Sequence, residues 1–315
     1  MLYIGVDIGG TSIKCGFVSS SGEILHRFGF KINHDEKQED TIIRLGKLIK
    51  ENTASFNKNE TDFAGIGIGC PGSINSTTGV CCFSNNLHWN NLDVVGLIEK
   101  ETGMKAKISN DANVAMLGEA KFGAGKEYNS SILLTLGTGV GGGLYLDGHL
   151  YEGNEGKGAE MGHIIIEKDG YPCTCGLHGC LEAYASVTGL IRMSKDEMKK
   201  NPNSKMWEFV NGNIDNVDGR TAFECSKIGD ESAIKVVNEY EDYLTIGLIN
   251  YCNIFRPDAI ILGGGVSNQK EYLTDALTKK LASYNYGFKG TPKVKILVSN
   301  LGNDAGILGA AALFF

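Results

Sequence analysis

Three cysteines crowd into CTCGLHGC (173–180), and His163 lies ten residues before the first of them, so His163, Cys173, Cys175 and Cys180 offer four soft or borderline metal ligands within 18 residues. Three thiolates and one imidazole suit Zn²⁺ in a tetrahedral shell, and four protein ligands leave no open position, which makes such an ion structural rather than catalytic. His178, inside the loop, is a rival for the fourth place. The C-x-C and C-x₄-C spacings differ from the C-x-x-C pairs of zinc ribbons.

A second chemistry is phosphate binding. DIGGTSIK sets Asp7, Gly9, Gly10, Thr11 and Lys14 in the bend between two short apolar runs. Glycine amides can converge there on an oxyanion, with a hydroxyl and a cation to help, and Asp7 would direct its carboxylate to a Mg²⁺ that bridges phosphates. A Gly/Thr turn at Gly137, Thr138 and Gly139 and a glycine run at Gly263, Gly264 and Gly265 weigh against reading these as ordinary tight hairpins. In NDAN (110–113), Asp111 is a candidate to take a proton from a hydroxyl nucleophile. Asn110 offers both a donor and an acceptor. Asn and Asp are also favoured helix N-caps, and on residue type alone the two readings weigh equally.

The elements that must hold these residues read as alternating strands and helices. Residues 2–17 form a hairpin and 24–30 a third strand; 39–56 has helical spacing and 63–72 is a buried strand. A helix follows at 92–103, and 106–123 passes from strand to helix at Asn110-Asp111. SSILLTLGTGVGGGLYLDG (130–148) repeats the opening design about 125 residues later, which suggests two related halves facing a shared cleft. A polar excursion with a short helix spans 194–220, a long helix runs over 230–255 to a stop at Pro257, and strands at 258–266 and 293–299 frame a helix at 269–284. A last helix runs from Asn303 to the end. Two domains are expected: residues 1–115 with 302–315, and residues 116–301.

Length and composition bound the rest. The 315 residues allow two α/β domains, and 42% hydrophobic with 21% charged residues fits a soluble protein. The 43 glycines cluster beside strands, as expected for loops whose backbone must approach something closely. A net charge of −7 with no basic run argues against nucleic acid or an acidic membrane surface. The N-terminus has no basic leader, and no apolar run reaches the roughly 20 residues of a membrane span, so a cytoplasmic protein is expected. Nine cysteines, several in apolar settings, read as reduced thiols plus one metal cluster. GIGCPG (67–72) and GTGVGG (137–142) imitate a dinucleotide fingerprint, but neither opens a helix.

Taken in order, DIGGTSIK, NDAN, LGTGVGGG (136–143), GAEMGH (158–163), CTCGLHGCLE (173–182) and ILGGGV (261–266) resemble the ROK family of sugar kinases and regulators over essentially the whole chain. The resemblance implies the actin-like α/β fold, in which two βββαβαβα halves close over ATP and sugar. It implies an ATP:hexose 6-phosphotransferase, with glucose favoured over N-acetylmannosamine, N-acetylglucosamine, fructose or allose. Asp111 would be the base. Asn86, Asn110, Asp111, Glu160, His163 and Glu182 would surround the hexose, the adenosine would lie near Gly263–Gly265, and His163 rather than His178 would complete the zinc set. Dimers or tetramers are the family's usual state. Regulators of the family carry a DNA-binding domain ahead of the first motif, where only six residues precede Asp7 here. Two departures bear on the sugar side: Asn85-Asn86-Leu87-His88-Trp89 lacks the family's usual proline, and Pro71-Gly72-Ser73-Ile74-Asn75 replaces its Gly-Pro-Val-Asp pattern.

Overall fold

The computed structural model describes residues 1–56, 58, 60–284 and 293–315. Its contacts group residues 1–131, 143–159 and 300–315 into one compact unit and residues 132–142 with 160–299 into a second.

The chain opens with β1 (Leu2–Ile8), β2 (Ser12–Ser19) and β3 (Ile24–Lys31), then α1 (Gln38–Ser55) and β4 (Phe63–Cys70). β1 buries Ile4, Val6 and Ile8 fully, and α1 sets Ile42, Leu45 and Ile49 into the same core at helical spacing. Three short strands follow, β5 (Ser73–Asn75), β6 (Val80–Ser84) and β7 (Trp89–Asp93), which pair in that order as a small antiparallel sheet. α2 (Val94–Thr102) starts on an Asp93 side-chain cap and ends at Gly103, which takes the left-handed conformation. β8 (Ala106–Asn110) then runs directly into α3 (Asp111–Phe122).

The second half begins with β9 (Ser131–Leu136), β10 (Val140–Leu146) and β11 (His149–Tyr151). Helices α4 (Glu182–Ala185), α5 (Val187–Lys200), α6 (Lys205–Phe209), α7 (Thr221–Lys227) and α8 (Glu231–Phe255) come next. β12 (Ala259–Gly263), α9 (Glu271–Ala282), β13 (Lys295–Val298) and α10 (Ala305–Ala311) complete the chain. The polar stretch from 194 is thus the end of α5, α6 and a 3₁₀ turn rather than a single excursion. Among the described residues, no helix is long and apolar enough to cross a membrane.

The two large sheets share one plan. The first has the order β3-β2-β1-β4-β8, with β1–β2 and β2–β3 antiparallel and β1–β4 and β4–β8 parallel. The second, β11-β10-β9-β12-β13, repeats it: β10–β11 is antiparallel and β12–β13 parallel. The faint sequence repeat at residue 130 marks a structural duplication.

Beside the glycines of turns and loops expected from composition, many lie inside strands and helices. Gly5 and Gly67 are register partners on β1 and β4, and a Cβ on either would sit 2.0 Å from Ile307 O or 1.7 Å from Ala310 O. The bare strands let α10 lie backbone against sheet. On its other side, a Cβ at Gly309 would meet Val114 O at 1.6 Å, so α10 is equally close to α3. That packing places all of α3 in the first unit, beyond the limit expected at residue 115.

Candidate active site

In the first unit, the β1–β2 hairpin sets Asp7 opposite Lys14. Gly9 N–H closes the turn on Ser12 O at 2.9 Å, and the amides of Gly10 and Thr11 meet no protein acceptor among the described residues. The Asp7 carboxyl is raised above the usual aspartate range by burial, with Lys14 opposing and Asp111 adding to the shift. A Cβ on Gly306 would stand 2.6 Å from its Cγ, so the start of α10 borders this carboxylate without covering it. Asn86, exposed in the turn after β6, lies beside Gly10, where an added Cβ would be 3.6 Å from the asparagine Cβ.

Asn110 caps α3. Its Oδ1 accepts from Ala112 N at 2.9 Å and its Nδ2 donates to Gly72 O at 3.0 Å, so the capping role weighed from residue type is the one its side chain performs. Asp111 is the first helical residue, solvent-exposed on one side, with Oδ1 accepting from Ala112 N at 2.9 Å. Protein around its other sides raises its pKa through desolvation, and the local hydrogen bonds only partly offset this. It forms no ion pair among the described residues.

Asn303-Asp304-Ala305 follows β13 just as Asn110-Asp111-Ala112 spans the end of β8 and the start of α3. There the resemblance ends, because Arg27 binds Asp304 with two hydrogen bonds, at 2.7 and 2.8 Å. That guanidinium holds the Asp304 carboxyl below its ordinary range. One copy of the tripeptide is neutralised and the other keeps an unpaired, elevated carboxyl. The repeated tripeptide was visible in the sequence, whereas its ion pair depends on a contact 277 residues apart.

In the second unit, the turn between β9 and β10 is closed by Gly137 N–H on Gly139 O at 3.0 Å. Gly264, at φ +80°, abuts the backbone of Leu136 just before that turn, which brings Gly263–Gly265 beside Gly137–Gly139. Glu182, at the start of α4, holds the far side: Oε2 accepts from Val140 N at 2.9 Å, and Oε1 accepts from Thr174 Oγ1 at 3.1 Å and Cys173 Sγ at 3.5 Å. Glu160 is exposed and opens the 3₁₀ turn Met161–His163, with His163 N–H donating to its carbonyl at 3.1 Å.

The ligand atoms of His163, Cys173, Cys175 and Cys180 all lie within 4.8 Å of one another. His163 Nδ1 is 3.5 Å from Cys173 Sγ, and the Sγ atoms of Cys175 and Cys180 are 3.6 Å apart. With Zn–S near 2.3 Å and Zn–N near 2.0 Å, the edges of a tetrahedral site are about 3.6–3.8 Å. The two printed contacts already match such an edge, and the widest separation of 4.8 Å would have to close by about 1 Å for the group to hold a four-coordinate ion. His178 is turned elsewhere, its Nδ1 on Gly170 O at 3.1 Å.

Asp7, Asn86, Asn110 and Asp111 thus belong to the first unit, while Glu160, His163, Glu182 and both later glycine clusters belong to the second. Sequence reasoning missed the Arg27–Asp304 pair, Gly306 under Asp7, and Thr174 and Thr188 around the second turn.

The chain is 38% identical to a glucokinase of Thermotoga maritima over 98% of its own length and 96% of the relative's. It is 28% identical to a xylose repressor of Caldicellulosiruptor bescii, covering 98% of this chain and 77% of that one. A crystal structure of a ROK family glucokinase from Streptomyces griseus, in complex with glucose and AMPPNP, matches with a TM-score of 0.77 at 33% identity, covering 99% of both chains. The profile of the ROK family matches residues 3–315, and with the duplicated actin-like α/β fold already described, the chain belongs to the ROK family.

Proposed function

We propose that this protein is an ATP-dependent hexose kinase that phosphorylates the 6-hydroxyl of glucose. The single observation that carries the chemistry is that Asp111 heads α3 exposed and without an ion pair among the described residues, whereas Arg27 closes Asp304 with two hydrogen bonds, because a general base needs an available carboxylate. The similarity to glucokinases, stronger than that to the xylose repressors, supports the substrate and the reaction.

In this reading, Asp111 takes the proton of the sugar 6-hydroxyl as its oxygen bonds to the γ-phosphorus and the bond to the bridging oxygen of ADP breaks. Asn86 and Glu160, exposed and without hydrogen-bond partners for their side chains among the described residues, present free groups to sugar hydroxyls. His163 would offer Nε2, since Nδ1 faces the cysteines. Asn110 and Glu182 would contribute remaining lone pairs. Gly9, Gly10, Thr11 and Lys14 would be the phosphate contacts of the first unit and Gly137, Thr138 and Gly139 those of the second, with Gly263, Gly264 and Gly265 for the adenosine. Asp7 would hold a Mg²⁺ ion, which when bound neutralises phosphate charge. The cysteines and His163 would hold a structural Zn²⁺, which fixes the imidazole tautomer and the loop around Glu182. A dimer or tetramer is carried over from the family and is read directly by light scattering.

The test is a coupled ADP-release assay with MgATP across glucose, mannose, fructose, allose, N-acetylglucosamine and N-acetylmannosamine. A kcat/KM for glucose well above the others is expected. Preference for an N-acetylated sugar would reassign the substrate, and no turnover on any sugar would favour a sugar-binding regulator.

A further inference from the structure

The turn at 137–139 is gripped from one side by residues 182–188. Glu182 Oε2 accepts from Val140 N, Val187 N–H donates to Gly137 O at 2.8 Å, and the Thr188 hydroxyl donates to Thr138 O at 2.8 Å. Val187 is the first residue of α5, capped by Ser186, whose Oγ accepts from Gly189 N at 3.0 Å. Its amide is one of the donors a helix cannot satisfy internally, and the turn supplies its acceptor.

These bonds fix the direction of two peptide planes. In a trans peptide the C=O and N–H point opposite ways, and none of the described peptides is cis. Because the Gly137 carbonyl is drawn to Val187, the Thr138 N–H points away from that segment. Because the Thr138 carbonyl is drawn to Thr188, the Gly139 N–H points away too. Neither amide donates to a protein acceptor among the described residues. Two successive free amides on one side of a glycine turn form an anion cradle. The glycine at 139 has its own reason, since a Cβ there would lie 2.3 Å from Glu182 Oε2.

We infer that Thr188 is a positioning residue for nucleotide phosphate: its hydroxyl fixes the Thr138–Gly139 peptide so that the turn presents both free amides to the anion. The inference rests on the kinase reading of this turn. Thr188 touches the turn and not the reacting atoms, and nothing in the sequence motifs marks it.

The experiment compares Thr188→Val, Thr188→Ser and the unchanged protein. It reads calorimetric binding of ADP with Mg²⁺, KM for MgATP and for glucose, and exchange of the Gly137 and Val140 amides, both of which are hydrogen-bonded. Thr188→Val should weaken ADP binding and raise KM for MgATP about 3- to 10-fold, speed exchange at both amides and leave KM for glucose unchanged. Thr188→Ser should restore all of these. Unchanged exchange and ADP affinity in a folded Thr188→Val protein would overturn the inference, as would equal losses for nucleotide and glucose that serine does not repair. Faster exchange with unaltered ADP affinity would refute phosphate binding at this turn, while the sugar panel tests the kinase reading separately.

Discussion

Asp111 stands in the same local sequence as Asp304 but lacks an arginine, and burial raises its carboxyl where Arg27 lowers that of Asp304. The folded state therefore disfavours ionised Asp111. Stability from this group is present below the ordinary aspartate pKa of about 3.9 and is lost as pH rises through the raised value. Asp111→Asn should cut kcat by about 10²- to 10⁴-fold, with glucose affinity largely kept. Its Tm should exceed that of the unchanged protein at pH 7, and the gap should close as the pH approaches 3.5. Thermal melts at several pH values with steady-state kinetics check both halves; near-normal turnover would reject the base assignment. The acid limb of the kcat/KM profile should likewise lie above the pH of an unperturbed aspartate. Asp304 behaves oppositely: its contribution is present above the ordinary value and fades as pH falls through the depressed one. The candidate base was legible from residue type and position, but its unpaired state was not, because that is settled by which carboxylate Arg27 reaches.

At the scale of elements, close backbone contact decides what the sequence tolerates. Gly67→Ala would drive a methyl group into Ala310 O, and we expect a loss of more than about 3 kcal/mol in denaturant unfolding, beyond ordinary overpacking. Glu119, fully buried on α3, accepts from Ala124 N at 2.8 Å and Leu301 N at 3.1 Å, so it ties two connecting segments to one helix. Glu119→Ala should cost about 2–4 kcal/mol by the same measurement, because two part-buried amides lose their acceptor and the fully buried side chain leaves a void. The loop 173–180 exposes most of its residues, and we expect Cys175→Ser to lose the proposed zinc and most hexose affinity. Metal analysis beside glucose titration reads this, and normal sugar kinetics in a zinc-free variant would contradict it. Periodicity located α1, α2, α8 and α9 within a few residues, since each carries an apolar stripe. It missed the β5–β7 sheet, whose strands of three to five residues are too short to show alternation.

Over the whole molecule, the duplicated strand order and the two Asn-Asp-Ala junctions show one plan used twice, with different residues kept at equivalent places. The motifs were readable because glycine turns, a strand-to-helix aspartate and a cysteine loop are local in sequence. The partnerships that tune them, Thr188 on Thr138, Glu182 on Val140 and Arg27 on Asp304, were not readable, since folding alone brings such distant positions together. The same division explains why glycine excess was assigned to loops: composition counts glycines but cannot say that Gly5 and Gly67 form the floor for α10. The most direct measurement is ³¹P NMR of the protein with MgATP and glucose, run beside Asp111→Asn at equal concentration. We expect a glucose 6-phosphate resonance growing in step with ADP for the unchanged protein and almost none for the variant. ADP released without a sugar phosphate, or equal product from both proteins, would contradict a glucose kinase that uses Asp111 as its base.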